Sequence, residues 1–201
     1  MADQQKVGEV IEACTRDYIA QCYELYQSPA LGSLVKSRDG DCDIYGVVYN
    51  VVTGGLEPGR RAIARGKDEE NEENIYNESP QLLKLLKSEF SVLLVGYRKG
   101  EKINQCLPPR PAHIHAFVHI CTPEEVKQFS RSFDFLNILL NARPDISVEE
   151  LVAASLREMS RVYDGDRRSF LVSAGKELAS LLPDNYAQLK VILKGLKYDA
   201  A

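Results

Sequence analysis

The chain has 201 residues, 44% hydrophobic and 27% charged, the make-up of a globular protein with one large domain or two small ones sharing an interface. Its formal charge of −4 weighs against a nucleic-acid binder, because phosphate contacts need a basic surface, and no nucleic acid is expected as a partner. Five cysteines without a CxxC pair, an opening (MADQQKVGEV) without the marks of a secretory signal, and no apolar run of the ~20 residues a membrane span needs point to free thiols, a cytoplasmic location and no membrane insertion.

In chain order, Val7–Ile11 and Tyr18–Leu25 are expected as strands joined by the polar link Glu12–Asp17. Ala30, Leu31 and Gly32 lead into Leu34 and Val35, followed by a polar turn at Arg38–Gly40. Ile44, Tyr45, Val47, Val48, Tyr49, Val51 and Val52 come next, and the whole reads as a β-hairpin. Gly46 inside its second strand marks a bulge or a barrel corner. Thr53–Gly59 has turn chemistry, and Asp68–Glu78, with six acidic side chains in eleven residues, is expected as a solvated loop. Pro80–Lys87 reads as a short amphipathic helix capped by Ser79. A strand at Phe90–Tyr97 follows, then a stiff Pro108–Pro111 segment and a last strand at Ala112–Cys121.

Beyond Cys121 the pattern is helical throughout. Thr122, Pro123 and Glu125 form a capping box, after which Val126, Phe129, Phe133, Leu136 and Leu140 keep helical spacing up to Asn141–Pro144. Ser147 and Glu150 suggest a second capping box for a helix through Met159 and Val162. A third helix is expected over Ser169–Leu182, and a fourth from Pro183 with Leu189, Ile192 and Leu196 on one face.

Few residues point to chemistry. His113, His115 and His119 would share one strand face with Phe117 and Cys121, and an H-x-H pair on a strand can offer two imidazoles to one metal ion. Cys121 or a carboxylate would be a further ligand. His113 and His119 would be about 20 Å apart on a straight strand, so the simpler reading is a half-exposed strand with its histidines satisfied by solvent or backbone. A metal-dependent enzyme using His113 and His115 is the alternative. SAGKEL at Ser173–Leu178 lacks the second glycine and the Ser/Thr of a phosphate loop, so no nucleotide, cofactor or small-molecule substrate is expected. Arg60, Arg61 and Arg65 beside the glycine-rich turn, with Glu69, Glu70, Glu72 and Glu73 in the acidic run, are candidates for docking a protein partner.

Four segments in order, VGEVIEA, ALGSLVK, YGVVYNV and PPRPAHIHAFV, resemble the barrel domain shared by the HerA DNA-translocase family and the F1-type ATP synthase α and β subunits. The resemblance covers roughly Lys6–Cys121 and is strongest to stand-alone cyanobacterial proteins that carry this barrel without an ATPase domain. It implies a small closed antiparallel barrel, no catalytic residue within it, and a habit of ring assembly and partner docking. The expected architecture is therefore α+β. Residues 6–121 form the barrel, with an acidic loop and helix inserted near 57–87, and residues 122–201 form a region of about four helices. The expected function is a non-catalytic interaction or assembly module, docking onto a ring ATPase or another multisubunit complex, with a protein partner or a second copy as its ligand.

Overall fold

Burial on both faces explains the long apolar runs in the first half of the chain. A computed structural model describes residues 5–57, 59 and 61–197. It folds the first part into β1 (Lys6–Ala13), β2 (Asp17–Cys22), β3 (Leu34–Asp39), β4 (Cys42–Gly55), β5 (Leu86–Lys99), β6 (Lys102–Asn104) and β7 (Phe117–Ile120). Six of these close into an antiparallel barrel in the order β1–β2–β5–β4–β3–β7, with β7 returning to β1 and β6 added outside on β5. Closure leaves the six staves without a free sheet edge.

Side chains alternate between two cores. Val10, Tyr18, Val35, Ile44, Val48, Phe90, Val92, Leu94 and Val118 fill the barrel. Their neighbours Leu34, Tyr45, Val47, Leu93 and Val95 point outward and are buried beneath helices. A strand covered on both sides has no solvent-facing polar side, so the central parts of β4 and β5 read as nearly continuous apolar runs, while β3 buries Lys36 and Asp39 in ion pairs. The hairpin turns at Gly40–Asp41 with φ +60° at Gly40, as a glycine-first two-residue turn requires. Gly46 lies at a bulge whose surplus residue, Val95, is on the partner strand. A Cβ at Gly46 would meet Val92 Cγ1 at 2.3 Å.

The segment between β4 and β5 departs from its sequence pattern. The acidic run is not all loop: Asn71 caps α1 (Glu72–Glu78) by accepting a hydrogen bond from Asn74 N at 3.0 Å. Ser79 ends that helix instead of starting the next, which shrinks to α2 (Leu82–Leu85), while Leu86 and Lys87 already belong to β5. A fourteen-residue β5 pairs along the full length of β4, and this pairing takes those residues from the helix.

After β7 there are five helices where the sequence suggests about four: α3 (Pro123–Phe129), α4 (Phe135–Leu140), α5 (Val148–Ser160), α6 (Arg167–Leu181) and α7 (Tyr186–Gly195). The first expected helix breaks between Ser130 and Asp134. Gln105, just past β6, stabilises the break: its amide donates to the carbonyls of Phe129 (2.6 Å) and Ser132 (3.0 Å) and accepts from Phe135 N (2.9 Å). The Thr122–Glu125 capping box is present on α3. On α5, Ser147 accepts from Glu150 N, but the Glu150 carboxylate bonds Arg157 at 2.8 Å. α5 is the hub, burying Leu151, Val152, Leu156 and Met159 against barrel and helices in one apolar cluster. No helix among the described residues is long and apolar enough to cross a membrane.

Candidate functional site

Charged side chains gather at the end of the barrel where the β3–β4 turn meets the loop before β7. The last strand is shorter than its sequence suggests, Phe117–Ile120 and not Ala112–Cys121, so His113 and His115 belong to that loop. His115 has φ +67°, uncommon for a side chain with a Cβ, and no strand geometry aligns it with His113. The two imidazoles serve different carboxylates: His113 Nε2 lies 3.0 Å from Asp39, and His115 Nδ1 lies 3.0 Å from Glu9. Cys121 is buried, and burial followed by the nearby Glu125 charge pushes its thiol well up. Among the described residues, no three His, Cys, Asp or Glu side chains converge as a metal site.

Buried carboxylates organise this end instead. Asp39 receives Arg110 at 3.4 Å as well as His113, and Asp43 receives Arg38 at 3.1 Å together with Arg98. Lys36, on the outer face of β3, forms a buried ion pair with Glu125 of α3. A cavity of about 470 Å³ lies where β3 and β7 diverge, beside Lys36, Arg38, His115 and His119. Burial pulls the His119 pKa down, and the charges of Lys36, Lys6 and Arg38 pull it further, so the ring is neutral near pH 7.

Burial alone would raise the Asp43 carboxyl, but the hydrogen bonds from Arg98 and Arg38 outweigh it and hold it below the ordinary carboxylate range. A depressed native pKa stabilises the fold above the unfolded-state value of about 4, and that stability disappears as pH falls through the native value. In urea unfolding, wild type is therefore expected to lose stability from about pH 5 downward. Asp43→Asn is expected to be less stable at pH 7 and to show a shallower acid loss. Parallel acid profiles for the two proteins would contradict this.

The arginine candidates are elsewhere. Arg60 lies outside the described residues, as does Pro58 of the expected turn, while Arg61 and Arg65 line an apolar cleft of about 620 Å³ on the segment between β4 and β5. Its walls are Leu56, Ile63, Ile75, Leu82 and Leu85, with Tyr26 and Tyr76 joined through their hydroxyls at 2.8 Å. Gly66 makes room for α1, since a Cβ there would meet Ile75 Cδ1 at 2.6 Å. Glu57 also lines the cleft; Glu69 and Glu70 precede α1, and Glu72 and Glu73 open it. Sequence reasoning missed Tyr26, whose φ of +66° places it against α1 some fifty residues later, and missed Leu82 and Leu85 as cleft walls. The unbalanced apolar content of PQLLKLLK was the signal for the leucines; nothing local signalled Tyr26.

Compared with known proteins, the chain matches no family model and no curated protein.

Proposed function

We propose that this chain is a non-catalytic interaction or assembly module, a barrel of the HerA–ATP synthase type carrying its own helical layer. Its docking surface is the cleft between β4 and β5. The observation that carries this reading is an apolar wall left open beside two cations: Ile63 is 77% exposed, Leu56 48% and Leu85 43%, with Arg61 and Arg65 at the same cleft. A single exposed leucine is ordinary, but a contiguous apolar group around a concavity marks a contact surface. The cleft fits a protein segment that inserts one or two apolar side chains and sets a carboxylate on the arginines.

The rest of the fold supports a scaffold. The central parts of β3, β4 and β5 are packed on both faces, and Asp39, Asp43 and Glu125 near the barrel end are held in ion pairs. A ring ATPase of the cytoplasm as partner follows from the barrel resemblance alone, as an analogy of fold.

The test is a pull-down from the native source with purified wild-type and Ile63→Asp baits, followed by sizing of the eluted complexes. Wild type is expected to retain a stoichiometric partner, or a second copy of itself, that Ile63→Asp loses while keeping its melting temperature. Equal recovery on both baits would remove the cleft as the interface. A wild-type bait that elutes alone as a monomer would remove the assembly reading.

A further inference from the structure

An amphipathic surface helix needs one apolar stripe, and α6 has two. Phe170, Ala174 and Leu178 recur every four residues and are buried against the rest of the fold. Leu171, Val172, Gly175 and Ala179 form a second stripe that faces α7 across an open groove of about 790 Å³. Leu193 and Leu196 of the α7 side complete an apolar floor, of which Val172 is 50% and Leu193 38% exposed. Gly175 and Ala179 are the small residues of this floor, and a Cβ added at Gly175 would lie in ordinary contact with Leu193 Cδ2, at 3.5 Å.

Arg168, Lys176 and Lys197 stand exposed on the rim of the groove, Arg167 lines it while donating from Nε to Ser160 Oγ at 3.1 Å, and among the described residues no Asp or Glu lines it. The chain as a whole carries a net charge of −4, so this concentration of cations runs against its overall balance.

We infer that the α6–α7 groove seats an acidic amphipathic helix of a partner protein, whose apolar face lies on Leu171, Val172, Leu193 and Leu196 and whose flanking carboxylates meet Arg168, Lys176 and Lys197. The shape selects this occupant. Helix-in-groove recognition uses an apolar trough to hold the i, i+3, i+4 and i+7 side chains of a helix, and a cationic rim fixes an acidic one. A nucleic-acid duplex would bring phosphates against an apolar floor. A bilayer surface is too broad to enter a concave trough between two helices. Among the described residues the groove shares no lining residue with the cleft between β4 and β5, so it stands if the docking reading of that cleft fails.

The probe is a fluorescein-labelled eighteen-residue peptide with leucines at helical spacing and glutamates on both flanks, titrated with the full chain and followed by anisotropy. Saturable binding is expected, weakening with salt, with amide shift changes confined to α6 and α7. Arg168→Glu with Lys176→Glu, both at exposed positions, is expected to weaken it by about tenfold or more. Gly175→Leu should abolish binding by filling the floor, and circular dichroism and melting would report whether either variant remains folded. The inference is overturned if the peptide does not saturate, or if a scrambled peptide of the same composition binds equally well. It is overturned equally if the charge-reversed protein binds the peptide undiminished, or if phosphatidylglycerol vesicles or a DNA duplex bind the groove in preference to the peptide.

Discussion

Replacing Lys36 by methionine is expected to cost about 3–5 kcal/mol of folding stability, a large share of the ~5–15 kcal/mol that holds a domain together. The Lys36 and Glu125 side chains are only 7% and 11% exposed, and they join the outer face of the barrel to the first turn of α3. With the ammonium removed, the Glu125 carboxylate stays buried without it. The desolvation cost of that charge, not the lost attraction alone, makes single removal so damaging. Glu125 cannot simply turn to solvent, because its other oxygen accepts from Thr122 N at 3.0 Å in the capping box. The double variant Lys36→Met with Glu125→Leu is expected to recover a large part of the loss, since two apolar side chains of similar volume suit a buried site. Urea unfolding of the two singles and the double gives the coupling. A Lys36→Met cost below about 1 kcal/mol, or simple additivity in the double, would show that the pair carries no such weight. His119 gives a second readout. The Lys36 charge helps depress its pKa, so proton NMR of Lys36→Met should find His119 titrating at higher pH than in wild type.

Lys36 also shows what the sequence left hidden. Its place on β3 was legible, because the hairpin from Leu34 to Gly55 is local: β-branched strands, a glycine in the turn, and a partner in register a few residues away. The caps of α3 and α5 were legible for the same reason, since Thr122 and Ser147 bond backbone three residues on. Nothing around position 36 announces that its partner is eighty-nine residues later. The break between α3 and α4 is the same kind of omission. Phe129, Phe133, Leu136 and Leu140 keep helical spacing across it, while a glutamine more than twenty residues upstream supplies hydrogen bonds to the backbone of the break.

The candidate sites divide along the same line. Arginines at a glycine-rich turn were visible as residues, but their setting depends on Tyr26 and on α1 folding over Gly66. The acidic run gave a true reading of charge, and of structure only as far as Asn71, since Glu72–Glu78 is helix. Asn71 offers a cap, and Ile75 and Tyr76 offer an apolar contact, which together are enough to fix seven residues as helix. The histidines misled for a different reason. Alternation through His113, His115 and His119 is what a strand would show, yet the backbone at His115 turns left-handed, so the shared parity never becomes a shared face.

Gly32→Ala is expected to be as damaging as the loss of Lys36, at about 3 kcal/mol or more, because two penalties fall on one atom. Gly32 has φ +86°, where a Cβ costs about 1–2 kcal/mol in any surroundings. The Cβ would also sit 2.4 Å from the backbone carbon of Ala154 and 2.6 Å from Ser155 N, in the middle of α5. Backbone cannot rotate aside as a side chain can, so either α5 lifts or the Ala30–Ser33 turn opens, breaking the Gly32 N to Val48 carbonyl bond of 2.8 Å. Overpacking of that kind adds about 1–3 kcal/mol. Gly40 is the internal control: its φ is +60°, but no atom lies within 4 Å of an added Cβ. Gly40→Ala should therefore show the conformational term alone, and the difference between the two variants measures how tightly the helical layer sits on the barrel. Hydrogen exchange should report the excess as lost protection in α5, with β4 and β5 largely unaffected. Equal costs for the two alanines would mean that α5 yields freely at Ala154. The helical layer would then be a mobile cover on the barrel and not a fixed part of its outer core.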